Sequence, residues 1–261
     1  MRVQMRTQMF YRSDFLLALV GLFLQIYLLK VVWSAVFPRS GHADGAGGRD
    51  LTMSAQITYV TLSSIQYWLF NPWDLSRIPE RVRDGKVAGD LSRPVAFTGQ
   101  MLAAQAGVTC AMLPFALVAL PFAVVVGGTA PPASNAAALA YAASLLPAYL
   151  VTLLLSAAVS MTAFWTMEVS GIFMIYRMVA QFFAGALVPL WFMPGWMAGA
   201  AQVLPFQATI YTPVALYLGQ IDGAAEVARA IGTQWAWAVA AWLGLRTVWR
   251  RALRRVVVQG G

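Results

Sequence analysis

The chain has 261 residues, 60% hydrophobic and only 11% charged, with a net charge of +8 and a mean hydropathy of +0.66. A soluble domain clothes its surface with roughly 25% charged residues, so a soluble enzyme, a nucleic-acid module and a disordered chain are all excluded, and the positive charge reads as membrane topology. A single cysteine, Cys110, and a single histidine, His42, remove disulfide frameworks, thiolate clusters and histidine-ligated metal sites.

In chain order, Met1, Met5 and Met9 share one helical face beside Arg2 and Arg6, as an interfacial helix leading into the first span or as a disordered tail. A bilayer core about 30 Å thick needs roughly 20 apolar residues in a helix. Six stretches meet that length: Phe15–Phe37, Leu51–Phe70, Ala96–Val126, Ala136–Trp165, Gly171–Trp191 and Ala230–Trp249. Lys30, near the outer end of the first, is expected to snorkel to the headgroups. Pro114 and Pro121 kink the third. The stretch Met197–Leu218 is broken by Pro205 and Pro213, which predicts short helices at the outer surface or re-entering the membrane. Six spans with the N-terminus inside put Arg2, Arg6, Arg12, the basic residues from Arg77 to Arg93, Arg177 and the cluster from Arg246 to Arg255 on the inner side. Only Arg39, Arg49 and Arg229 remain outside. That asymmetry predicts an all-α polytopic protein with both termini cytoplasmic. The chain is one transmembrane domain with a cytoplasmic loop over 71–95 and an outer helical segment over 192–229.

The second span is the most polar. Thr52, Gln56, Tyr59, Ser63, Gln66 and Tyr67 fall on one arc of the helical wheel. Such an arc avoids lipid, serving either as hydrogen-bonding glue between helices or as the lining of a substrate path. Trp191, Phe192 and Trp196 gather at the outer end of the fifth span, as belt residues or as an apolar outer gate. Glu168 and Arg177 mark the inner start of that span, with Glu168 the first candidate for a salt bridge to the inner loop.

The loop 71–95 holds five basic and four acidic residues, about a third of the charged residues of the chain. Ser76 is a helix cap, Pro79 sits in the first turn and Gly85 supplies a stop. Leu75, Ile78 and Val82 share one face, with Arg77, Glu80, Arg81 and Asp84 on the other. This predicts a short amphipathic helix, Ser76–Asp84, lying on the membrane with a charged face toward the cytosol.

The run Arg83-Asp84-Gly85-Lys86-Val87-Ala88-Gly89-Asp90-Leu91-Ser92-Arg93-Pro94-Val95 resembles the inner loop of ABC-2 type permeases, the membrane subunits of ATP-binding-cassette exporters. A second match, Gly185, Val188-Pro189-Leu190, Phe192, Pro194, Leu204-Pro205-Phe206, Pro213 and Gly219, is similar to that family's fifth span and the outer helices after it. The resemblance implies that two such subunits, identical or related, form the pathway in a bacterial inner membrane and bind separate ATPase subunits. Arg77, Ile78, Glu80, Arg81 and Asp84 would belong to the coupling helix. Gln56, Tyr59, Ser63, Gln66 and Tyr67 would line the path of an amphipathic or hydrophobic substrate moved outward. No cofactor is expected on this chain. Neither lysine stands in a G-x-x-x-x-G-K-[ST] context, so ATP and magnesium would reside on the partner. An ion-coupled secondary transporter and a membrane scaffold remain as alternatives. Against the first, the deep parts of the spans hold no carboxylate for a coupling ion.

Overall fold

The computed structural model describes residues 12–36, 42–45, 49–71, 75, 78–166 and 169–259. The expected N-terminal interfacial helix lies outside them. Helix α1 (Arg12–Val36) buries Leu22 and Ile26 against Ile65 and Ala119, while Leu17, Val20, Leu24, Val31 and Val32 face outward. Phe23 stacks on Phe122 with centroids 4.0 Å apart.

The all-α expectation misses one feature. The loop after α1 carries two short strands, β1 (His42–Gly45) and β2 (Arg49–Thr52), paired antiparallel with His42 opposite Thr52. Thr52 then ends the ladder and starts α2 (Met53–Phe70), its hydroxyl accepting from the Ala55 N–H at 3.2 Å. The inner loop folds into two short helices, α3 (Ile78–Arg83) and α4 (Val87–Leu91).

Helix α5 (Phe97–Phe122) contains Pro114 and Pro121 and passes into a π turn over Ala123–Gly127 that ends at Gly128, φ +75°. Proline at 121 withholds a backbone donor, and the wider turn follows directly. The Lys30 ammonium donates to the Val126 carbonyl at 2.6 Å. Lys30 therefore caps the end of this helix, where carbonyls lack intrahelical partners and the dipole favours a cation. Helix α6 (Asn135–Ser160) begins at a Ser134 cap and continues into a 3-10 turn, Met161–Phe164.

The fifth predicted span is not one helix. Helix α7 (Ser170–Phe183) stops after 14 residues, and Gly185 takes φ +79°. The Ala186 N–H reaches the Gln181 carbonyl and the Gly185 N–H that of Phe182, the paired bonds of a Schellman ending. The chain then turns through a 3-10 turn at Leu190–Phe192, α8 (Gly195–Val203), a second at Pro205–Ala208 and α9 (Tyr211–Tyr217). Gly219 (φ +68°) closes α9 with the same pair of bonds.

Helix α10 (Ala224–Gln259) runs for 36 residues, some 54 Å at about 1.5 Å per residue. That extends well past both ends of its predicted span. Among the described residues, three helical stretches are long and apolar enough to cross a membrane: Leu19–Val36, Phe97–Gly127 and Asn135–Phe164.

Candidate functional site

Two sets of residues carry chemistry: the charged inner loop and the polar seam along α2. In the loop, Leu75 and Ile78 are fully buried. They pack with Phe97, Met161 and Phe164 and with Ala241, Leu245 and Ala252 of α10, and Val82 lies against the same cluster. The apolar face of α3 is therefore seated on the protein and not on the membrane surface. Burial on packed side chains fixes its orientation, where lipid contact would leave it free to roll. Among the described residues the helix runs over Ile78–Arg83; Ser76 and Arg77 lie outside them.

Its charged residues play different roles. Asp90, on α4, has a side chain only 3% exposed and takes a salt bridge from Arg81 at 2.5 Å, with Arg93 a further 3.8 Å from its second oxygen. A carboxylate so buried requires such a partner. The Gln100 amide, on the first turn of α5, donates to the Asp90 carbonyl at 3.0 Å and the Val95 carbonyl at 2.8 Å, binding the loop to the bundle. Arg81, expected on the open docking face, ties α3 to α4 through Asp90 while its side chain stays 38% exposed. Glu80, Arg83 and Asp84 are exposed. The Lys86 ammonium, 2.8 Å from Asp84, holds that carboxyl below the usual carboxylate range. What remains is a mixed-charge surface on a rigid base.

Along α2, Gln56, Tyr59, Ser63 and Gln66 are all buried. Three of them grip the segment after α7. The Trp191 indole N–H donates to Gln56 Oε1 at 3.1 Å, Tyr59 Oη donates to the Gly185 carbonyl at 2.9 Å, and Gln66 Nε2 donates to the Thr209 carbonyl at 2.5 Å. Tyr59 also meets Trp191 edge-on with centroids 4.4 Å apart. The irregular segment 184–210 leaves backbone carbonyls without helical partners, and the α2 stripe supplies the donors they lack. Some capacity stays unused: Gln56 Nε2, Thr61 Oγ1 and Gln66 Oε1 have no partner within the described residues.

Tyr67 is placed differently. Its hydroxyl accepts from Arg177 Nε at 2.7 Å, and the residue borders a small cleft between α2, α6, α7 and the returning segment. Phe70, Thr152, Tyr176, Phe206 and Thr209 line the rest of that largely apolar space. Of the five predicted path residues, Tyr67 is the one on open space; the others form a sealed seam.

The outer aromatic trio is divided. Trp191 and Phe192 pack together and against Tyr59, Trp33 and Tyr211, whereas Trp196 is 74% exposed on α8. A gate from these residues would consist of Trp191 and Phe192 alone. Glu168 lies outside the described residues, and Arg177 faces Tyr67 instead of the inner loop.

Sequence patterning does not reveal Asp90 or Thr209. Asp90 stands among charged neighbours that are solvated, and Thr209 contributes only its backbone carbonyl, so neither leaves a signal in the pattern. Gln100, a polar residue opening an apolar span, does leave one.

A family model described as "ABC-2 family transporter protein" matches residues 23–260 of the chain. No curated protein and no solved structure matches it significantly.

Proposed function

The chain belongs to the ABC-2 transporter family, and we propose that it is the permease subunit of an exporter driven by a separate ATPase. In this reading the chain crosses a bacterial inner membrane six times, with both termini in the cytosol. Helix α7 and the returning segment through α9 together make the fifth crossing and its outer cap. The chain pairs with a second permease, identical or related. ATPase subunits carry the ATP and magnesium; this chain makes and breaks no bond.

The observation that carries the reading is the construction of the inner loop. Leu75 and Ile78 lock α3 to the 3-10 turn after α6 and to α10, and the Arg81–Asp90–Arg93 group locks α3 to α4. Force applied to Glu80, Arg83 and Asp84 therefore passes into two long helices at once. A solvated loop with no partner has no need of a buried carboxylate or of a glutamine strut from α5. Packed elements with discrete arrangements are what transmit such a push. Substrate moves by alternating access, and the largely apolar lining beside Tyr67 matches the chemistry of an amphipathic or hydrophobic molecule.

Purified alone, the chain hydrolyses no ATP; mixed with its ATPase it forms a stable complex. Replacing Glu80, Arg83 and Asp84 together by alanine lowers that affinity at least tenfold, about 1.4 kcal/mol, measured by titration in detergent. Arg81 is left intact because its loss would disturb the loop itself. Unchanged affinity in the triple variant would overturn the docking assignment.

A further inference from the structure

The cytoplasmic end of α10 carries Arg246, Arg250, Arg251, Arg254 and Arg255 within ten residues, and all five are exposed. None has a carboxylate within salt-bridge distance among the described residues. At 100° per residue, the buried residues Gln234, Ala238, Ala241, Leu245 and Ala252 share one narrow face. Arg246, Arg250, Arg251 and Arg254 fan over the opposite half of the helix, and Arg255 lies on its flank. Upstream, that outward half is apolar: Trp235, Val239, Trp242 and Leu243 are exposed on it. At Arg246 the same surface turns from apolar to cationic with no break in the helix, and the Arg246 guanidinium lies over the Trp242 ring at 4.6 Å.

On a membrane-crossing helix, that change marks where hydrocarbon ends and phosphate begins. From Arg246 to Arg255 the helix rises about 13 Å, enough to pass through a headgroup layer roughly 5–7 Å deep. Guanidinium groups bind phosphate with paired, charge-assisted hydrogen bonds. We propose that the outward face of α10 from Arg246 to Arg255 is a binding site for anionic phospholipid headgroups in the leaflet it leaves. A protein partner suits this surface less well, because α3 is seated with Leu245 and Ala252 on the opposite, buried face of α10. A subunit gripping α3 approaches from that other side. The inference rests on α10 being a span, as proposed above, but not on ATPase docking.

The test uses the full chain in dioleoylphosphatidylcholine bilayers with spin-labelled phosphatidylglycerol or phosphatidylcholine, comparing the fraction of each immobilised at the protein. Phosphatidylglycerol is expected to be favoured about fivefold or more at low salt, with the preference collapsing in about 1 M salt, where the screening length is roughly 3 Å. Changing all five arginines to glutamine abolishes the preference; changing all five to lysine keeps most of it. An Arg83→Gln/Lys86→Gln variant, which removes cytoplasmic charge elsewhere, leaves it intact. Absence of preference in the wild type, its persistence in the glutamine variant, or an equal loss in the control pair would overturn the proposal. Should the glutamine variant fail to insert, the lysine variant and the wild-type salt series decide. A chain that keeps its phosphatidylglycerol preference while its ATPase affinity is insensitive to Glu80, Arg83 and Asp84 sinks the docking assignment alone.

Discussion

Gly185→Ala is expected to destabilise the chain by about 3 kcal/mol and to release the segment after α7 from α2. The glycine sits at φ +79°, a conformation that costs an alanine roughly 1–2 kcal/mol. A Cβ there would stand 2.5 Å from Tyr59 Oη and 2.6 Å from Leu190 Cδ1. Neither neighbour can retreat cheaply: the tyrosine is fully buried with its hydroxyl bonded to the Gly185 carbonyl, and Leu190 is buried among Met193 and Ala201. The contact that makes Tyr59 useful is the contact that forbids a side chain at 185. Thermal unfolding in detergent reads the loss, and accelerated backbone hydrogen exchange over residues 184–193 locates it. A companion variant, Gly199→Ala, is expected to be close to neutral, since a Cβ there meets nothing within 4 Å. Equal stability of the two variants would refute the packing account of the seam.

Asp90→Ala is expected to loosen the inner loop more than any exposed substitution in it. The carboxylate is buried and faces both Arg81 and Arg93. Losing one partner of a fully buried pair costs about 3–5 kcal/mol; here the Arg81 side chain is 38% exposed and can turn to water, which brings the cost down to about 1–2 kcal/mol. Hydrogen exchange over α3 and α4 should then quicken about tenfold, since roughly 1.4 kcal/mol corresponds to a factor of ten. Asp90→Asn recovers part of the protection by keeping an acceptor. Alanine at the exposed Glu80 should leave exchange unchanged. That contrast separates the strut from the docking surface.

The long apolar helices were legible in the sequence because a helix needs about 20 apolar residues to cross hydrocarbon, and a run of that length stands out from any soluble pattern. Leu19–Val36, Phe97–Gly127 and Asn135–Phe164 all fall close to the predicted edges. The break in the fifth stretch was not legible, although its agents, Gly185 and Pro189, were in view. Apolar composition runs on through Trp191, and composition carries no record of where backbone bonds change partners. The polar stripe on α2 was visible by its period, but its destination was not. Period shows which residues share a face; what the face meets is decided by a segment more than a hundred residues further along the chain. The same limit applies to Arg81 and Asp90, which sit on separate short helices and which helical spacing alone does not pair. The hairpin over His42–Thr52 has strands of four residues, too short for alternation to show.

The decisive measurement is where the ATPase touches this chain. In a Cys110→Ser background, a single cysteine is placed at Asp84, on the exposed face of the inner loop, or at Trp196, on the exposed face of α8. Each variant is purified together with the ATP-binding-cassette ATPase that accompanies it and treated with a short bifunctional cross-linker. A covalent adduct with the ATPase is expected from the Asp84→Cys chain and none from the Trp196→Cys chain. An intact complex that cross-links at Trp196→Cys, or that leaves Asp84→Cys unmodified by its partner, would contradict the docking assignment.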